Sequence, residues 1–126
     1  MANEIEVSIS ISAAKGGMNV SRSESFKVDM TGDAMTHSVQ EISTTAEVLV
    51  EADALDNPGW VFVKNLHASN YVELGTVEVT SSDGDDDAEY AVKVSAGESC
   101  VFQTTTAVYA KASGTGTNVE YIIIEL

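Results

Sequence analysis

The chain has 126 residues, of which 44% are apolar and only 6% aromatic, and this length suits one domain with a continuous core. Its 20 acidic residues against 6 basic ones give a formal charge of −14, and such a surface repels nucleic-acid phosphates and anionic lipid headgroups. We therefore expect neither nucleic acid nor a membrane as a partner.

The residue Cys100 is the single cysteine, which excludes a disulfide within the chain. The sequence starts without a basic and apolar leader, so we expect synthesis in a reducing cytoplasm.

The first part of the chain predicts two strands before residue 33. Four branched apolar residues alternate with glutamate and serine, which gives a strand with one apolar face; they are Ile5, Val7, Ile9 and Ile11. The glycines of Lys15-Gly16-Gly17 then predict a turn, and alternation resumes over Ser25–Met30 until Thr31-Gly32-Asp33 breaks it.

The middle of the chain gives one ambiguous segment and two clear strands. Residues Met35–Thr45 mix apolar and polar residues without a regular period, whereas Ala46–Glu51 has the composition of a strand. Pro58-Gly59 predicts a type II turn, in which the glycine adopts a positive φ. The apolar run Trp60–Leu66 predicts a strand in the centre of a sheet.

Short strands separated by turns continue to the end of the chain. The predicted strands are Tyr71–Leu74, Thr76–Thr80, Tyr90–Val94, Cys100–Phe102, Ala107–Lys111 and Val119–Leu126. The last of them is apolar on both sides of its pleat, which places it in the middle of a sheet or beneath another chain. No segment has a sustained helical stripe, so the sequence predicts one all-β domain over residues 1–126. We expect an antiparallel β-sandwich of about eight to ten strands, of which a jelly roll is one form.

Catalytic and cofactor signatures are missing from the sequence. The two histidines, His37 and His67, have no neighbouring histidine or cysteine at a metal-ligand spacing. No serine lies in a Gly-x-Ser-x-Gly elbow, and Gly114-Thr115-Gly116-Thr117 lacks the lysine and the helix of a phosphate loop. We therefore expect a chain that is not an enzyme and has no cofactor.

An acidic loop is the strongest signal for a metal. Its carboxylates fall at alternate positions, as in the opening of an EF-hand calcium loop; they are Asp83, Asp85 and Asp87, with Asp86 between them. The match ends there, because Ala88 stands at the glycine position and Val94 at the position of the bidentate glutamate. The alternatives are a weak calcium site and a solvated hairpin loop, and the loop is the simpler reading.

Three blocks in the second half of the sequence resemble small structural proteins of tailed bacteriophages. Val63–Gly75 resembles their "NLD-x-TNYVE-x-G" segment, although His67 stands where the pattern has aspartate, and Val94–Glu98 resembles their "L-x-AGE" turn. Val108–Ala112 with Val119–Glu125 resembles their "YAKA…VEY-x-I-x-E" ending. The resemblance implies a non-enzymatic virion protein with a β-sandwich fold.

The function that this resemblance implies is decoration of the capsid exterior. A decoration or cement protein of this kind binds the lattice of the major capsid protein as a homo-oligomer, with a trimer at local threefold positions as one arrangement. The segments that we nominate for protein contacts have apolar faces; their residues are Ile5, Val7, Ile9, Ile11, Ile122, Ile124 and Leu126. The simpler alternative is that both segments lie inside the monomer core.

A second function remains open at the level of sequence. The chain could be a carbohydrate- or receptor-binding module of a phage fibre or tail, in which surface aromatic residues and the acidic loop hold a sugar. Exposed tyrosine or tryptophan side chains clustered beside Asp83–Asp87 would favour this function over capsid decoration. A packed core is the ordinary role for the same aromatic residues.

Overall fold

The computed structural model describes residues 4–49, 55, 57–75 and 91–126. These residues form ten strands and no helix, and the contacts divide the chain into two compact units, Met1–Thr31 and Gly32–Leu126. The strands are β1 (Ile5–Lys15), β2 (Met18–Val28), β3 (Met35–Ile42), β4 (Glu47–Val48), β5 (Pro58–Asn65), β6 (Val72–Gly75), β7 (Val92–Val94), β8 (Ser99–Gln103), β9 (Tyr109–Ala112) and β10 (Thr117–Glu125).

The first unit is a long antiparallel hairpin made of β1 and β2, which we call the arm (Ile5–Val28). All eleven residues of β1 face a residue of β2, from Ile5 opposite Val28 to Lys15 opposite Met18. Gly16 and Gly17 join the strands with φ values of 59° and 85°, and two positive φ angles in succession are what a two-residue hairpin turn of type I′ requires. The turn and the presence of two strands are confirmed, whereas the second strand begins at Met18 and ends at Val28 instead of spanning the predicted Ser25–Met30.

The arm corrects one expectation about the sandwich. The two N-terminal strands were predicted to belong to its sheets, whereas they form a two-stranded sheet of their own. The local glycine turn explains the difference, because it pairs β1 with β2 along its whole length. The prediction that residues 1–126 fold as a single domain stays a prediction, since contacts do not measure cooperative unfolding.

The second unit is a β-sandwich of two four-stranded antiparallel sheets. One sheet has the order β3-β10-β5-β8 and the other β4-β9-β6-β7. Successive strands cross from one sheet to the other, with β6 and β7 as the exception, and this is the strand order of an eight-stranded jelly roll. The predicted fold class is confirmed, including the central positions of β5 and β10.

The core lies between these sheets and follows from the alternation of side chains along each strand. On β10 the side chains of Val119, Tyr121 and Ile123 are buried, and on β5 those of Val61 and Val63 are buried. The opposite sheet contributes further residues to the same cluster; they include Val72, Leu74, Val94, Ala110 and Ala112. Residues of both sheets therefore form one buried cluster.

The ambiguous segment of the sequence forms the edge strand β3. Its inward positions before Ile42 are polar, and one of them, Gln40, accepts a hydrogen bond at Oε1 from the Tyr121 hydroxyl at 3.2 Å. Gln40 Nε2 also donates to the backbone oxygen of Val48 at 3.1 Å. An edge strand with inward polar residues has no clean apolar period, which is why the sequence pattern did not identify it.

The predicted type II turn at Pro58-Gly59 is wrong. Both residues are buried and begin β5, and Gly59 is absent from the glycines with a positive φ among the described residues. Gly59 is needed for space instead, because a Cβ atom there would overlap the side chain of Leu126. Proline at the start of a strand is a common position, since its missing N–H breaks no central ladder hydrogen bond.

Candidate interaction surfaces

One face of the arm is apolar and exposed. Residues directly opposite in an antiparallel pair lie on the same face, so Ile9 and Ile11 of β1 share a face with Val20 and Phe26 of β2. The exposed fractions of the larger side chains on this face are 51% for Ile9, 69% for Ile11, 73% for Met18, 62% for Val20 and 40% for Phe26. Water therefore reaches a long apolar strip along the arm.

The predicted interface residues of β1 divide into two pairs. Ile5 and Val7 are only 5% and 7% exposed, so they are buried, whereas Ile9 and Ile11 are open to solvent. The distal part of the strand is thus the part with apolar side chains available for contact. The role of these four residues as an interface stays a prediction.

The other face of the arm is polar and rich in serine. It carries Ser8, Ser10, Ser12, Ser21, Ser23 and Ser25, and every residue from Ser8 to Lys27 is exposed. Between Val7 and Ala14 the strand β1 has no charged residue, no proline and no glycine, and these are features that natural edge strands use to prevent pairing with other chains. The arm therefore combines an apolar face with an unprotected edge.

A second apolar surface is the outer face of the sheet β3-β10-β5-β8. The strand register places His37, Ile122, Phe62 and Val101 in one row across its four strands. The neighbouring row contains Met35, Ile124, Trp60 and Gln103. On the edge strand β3, Met35 and Val39 are 64% and 59% exposed.

The predicted interface residues of β10 lie on this outer face. Ile122 and Ile124 are half-buried within the sheet, and their side chains alternate with the core residues Tyr121 and Ile123. Leu126 follows the strand and is half-buried beside Gly59. The structure thus brings Ile122 and Ile124 together on one surface, with Leu126 close to its edge.

Charged groups are placed among the apolar residues of both surfaces. On the arm, Arg22 and Glu24 are two positions apart on one strand face and form an exposed ion pair. On the sheet, His37 Nε2 lies 2.6 Å from Glu120 Oε2 across the β3-β10 pair, and both groups contact solvent. Neither pair contains a nucleophile or a buried catalytic base.

The three blocks that resemble phage proteins meet at one corner of the sandwich. The first block supplies Asn65, which is fully buried and donates from Nδ2 to the backbone oxygens of Asn70 at 2.8 Å and Val94 at 3.1 Å. The backbone N–H of Asn65 donates to the oxygen of Glu98 at 2.9 Å, which joins the second block. These hydrogen bonds stabilise backbone turns, so this corner has a structural role.

The turn before β10, just ahead of the third block's Val119–Glu125, is tied to the same corner by Asn70. Its Nδ2 donates to Thr117 Oγ1 at 2.9 Å, and the Thr117 hydroxyl in turn donates to the oxygen of Gly114 at 2.8 Å. The backbone N–H of Leu66 donates to the oxygen of Asn118 at 2.9 Å. These hydrogen bonds join β5, β7 and β10 to the turns before β6 and β8 at one end of the fold, a relation that spacing in the sequence could not reveal.

The acidic loop lies outside the described residues. Asp83, Asp85, Asp86 and Asp87 are among residues 76–90, so the choice between a calcium site and a solvated loop stays open as a prediction. In the described part of the chain, no three His, Cys, Asp or Glu side chains are grouped so that they could hold a metal ion. Within the same residues, no helix has the length and apolarity needed to cross a membrane.

The aromatic residues divide between the core and the surface. Tyr121 is 1% exposed and belongs to the core, as the sequence predicted for most aromatic residues, whereas Tyr71 is 38% exposed. The Lys93 ammonium lies 4.6 Å from the centre of the Tyr71 ring, which is a cation–π contact between β7 and the residue that precedes β6.

Comparisons of this chain with protein-family models, curated proteins and solved structures found no match.

Proposed function

We propose that this chain is a non-enzymatic structural protein of a tailed-bacteriophage virion, and that it decorates the capsid exterior. In this role it binds the lattice of the major capsid protein as a homo-oligomer and stabilises the head. It would be made in the cytoplasm of the host bacterium and assembled onto the virion there. The proposal joins the resemblance of three sequence blocks to the surfaces of the folded chain.

The observation that carries the proposal is the exposed apolar face of the arm. Ile11 and Val20 are each more than half exposed, and water-exposed apolar strips of this length mark surfaces that contact another protein. An arm of two strands has little core of its own, so it gains order from a partner. In a homo-oligomer bound to the capsid, that partner can be another copy of the chain.

The charge of the chain supports an exterior position. With a formal charge of −14, the protein is repelled by packaged nucleic acid, and this repulsion favours the outer over the inner surface of the head. Acidic patches also pair with basic patches of a capsid protein, which increases association rates and selects the docked orientation.

The test is the copy number of this chain in purified virions of the source phage, measured by quantitative mass spectrometry. A number comparable with that of the major capsid protein supports decoration. A few copies per virion would instead point to the fibre or tail function, and complete absence would overturn the virion proposal.

A binding measurement is the second part of the test. Purified chain is added to heads that lack it, and the temperature at which the heads release DNA is compared with and without the chain. We expect an increase with the wild-type chain and none with Ile11→Ser/Val20→Ser. The matched control is Ser10→Thr/Ser23→Thr on the opposite face of the arm, which should act like wild type.

A further inference from the structure

We propose that the apolar face of the arm of one copy docks on the outer face of the β3-β10-β5-β8 sheet of a second copy. The inference rests on the proposed function for the idea of a homo-oligomer, and it names the two surfaces that form the contact. The experiment uses the purified chain alone, so the proposed contact between copies can be disproved while the decoration function stands.

The first step is that each surface needs a partner. On the arm, Ile11 and Met18 are 69% and 73% exposed, and on the sheet Met35 and Val39 are 64% and 59% exposed. A hairpin of two strands is marginally stable by itself and needs a further layer against its apolar face. An outer sheet face with apolar rows can supply that layer, because two sheets pack face to face at about 10 Å.

The second step is the distribution of charge. Residues 1–31 contain three of the six basic residues and four of the 20 acidic ones. The other three basic and 16 acidic residues give residues 32–126 a formal charge of −13. Two sandwiches therefore repel one another, whereas the nearly neutral arm can approach a second sandwich without this penalty.

The third step is the position of individual charges on the two faces. The apolar face of the arm carries Lys15, Arg22 and Glu24, so its cations outnumber its carboxylates by one. The outer face of the sheet carries Glu41, Glu120 and Lys64, so its carboxylates outnumber its cations by one. Some of these charges already have a neighbour within their own copy, because Arg22 pairs with Glu24 and Glu120 with His37. Opposite charges at the rim of an apolar contact favour one docked orientation and disfavour like-charged alternatives. Docking of two arms face to face would not use the carboxylates of the sheet.

The contact joins two different surfaces, which determines the assemblies that it can form. Two copies can exchange arms reciprocally in a dimer with twofold symmetry, or several copies can close into a ring such as a trimer. In either assembly every arm and every sheet face is covered. An open chain of copies would leave one arm exposed at one end and one sheet face exposed at the other.

The experiment compares the mass in solution of three variants by sedimentation and light scattering over a range of concentrations. The arm variant is Ile11→Ser/Val20→Ser, the sheet variant is Met35→Ser/Val39→Ser, and the control is Ser10→Thr/Ser23→Thr. All substituted apolar residues are exposed, and circular dichroism with thermal unfolding verifies that each variant folds. We expect an oligomer for wild type and control, and association weakened by about two orders of magnitude in both the arm and the sheet variants.

Cross-linking identifies the contact directly. A photoreactive benzophenone side chain at position 20 is placed in copies of natural isotope content, which are mixed with copies labelled with ¹⁵N. Mixed-isotope cross-links to peptides of β3 or β10 support the proposal. A monomeric wild type, an oligomer that survives the sheet substitutions, or cross-links only between two arms would each overturn it.

Discussion

The Nδ1 atom of His67 lies 2.8 Å from the backbone nitrogen of Asn70 and accepts its hydrogen bond. The same atom accepts from the backbone nitrogen of Ser69 at 3.0 Å. Aspartate side chains commonly accept such bonds from backbone groups two or three residues further on. An aspartate at position 67 could therefore accept the same two hydrogen bonds that His67 accepts.

Replacement of His67 tests this equivalence. His67→Asp keeps an acceptor for both N–H groups, and we expect its free energy of unfolding to stay within about 0.5 kcal/mol of wild type. His67→Ala removes the acceptor and should lower that energy by about 1 kcal/mol. Urea unfolding measures both, with Ser21→Ala on the exposed polar face of the arm as the control. Equal stability of His67→Ala and wild type would contradict the role of Nδ1.

The buried side chain of Asn65 forms hydrogen bonds with three backbone groups. Asn65→Ala leaves two backbone oxygens and the N–H of His67 without the partners that Asn65 provides. Because these groups lie at a buried corner, we expect a loss of about 2–3 kcal/mol in the free energy of unfolding. Asn118→Ala at an exposed position of β10 should change it by less than about 0.5 kcal/mol. A small effect at Asn65 would show that water replaces the amide.

Gly59 and Leu126 should be coupled in stability. Gly59→Ala places a methyl group against the Leu126 side chain, and overpacking of this kind lowers stability by about 1–3 kcal/mol. In a Leu126→Ala background the same substitution should have a smaller effect, because the overlapping Cγ and Cδ1 atoms are gone and only the Cβ atom stays close. A double-mutant cycle by thermal unfolding measures the difference. Additive effects would mean that another contact limits this position.

Cys100 should react slowly in the folded chain. It is partly buried on β8, and desolvation raises the pKa of its thiol, so less thiolate is present at a given pH. We expect its reaction with a disulfide reagent at pH 8 to be at least about tenfold slower in the folded chain than in urea. The matched control is Val101→Cys/Cys100→Ser, which places the thiol at a position 41% exposed in the wild-type chain. Equal rates at both positions would contradict the protection.

Local patterns in the sequence were sufficient for most strands. The alternation from Ile5 to Ile11, the Gly16-Gly17 turn and the doubly apolar run near Ile123 each follow from side-chain periodicity or turn chemistry. These signals depend on neighbours in the chain, so they can be read without a fold. In the edge strand β3 the alternation is short and its inward positions before Ile42 are polar, and at Pro58-Gly59 the local turn signal is overridden by the pairing of β5.

The candidate surfaces were only partly accessible from sequence. Ile9 and Ile11 were nominated together with Ile5 and Val7, yet the first two are exposed and the other two are buried. The alternation of side chains along β1 is the same over all four residues, so it could not distinguish them. The exposed positions Met35 and Val39 were missed, because they lie on a strand that the pattern did not identify. An alternation of Met35, His37 and Val39 with polar residues was the available signal.

By itself the sequence determined an all-β chain, its hairpin turn and the apolar faces of its strands, because side-chain alternation and glycine conformations are local properties. Only the tertiary structure decided that β1 and β2 form a sheet of their own, that β10 lies between β3 and β5, and that three separate blocks meet at Asn65. Pairing between distant strands depends on backbone hydrogen bonds and on volumes in a shared core. Those quantities are set by the whole chain, and no short window of sequence contains them.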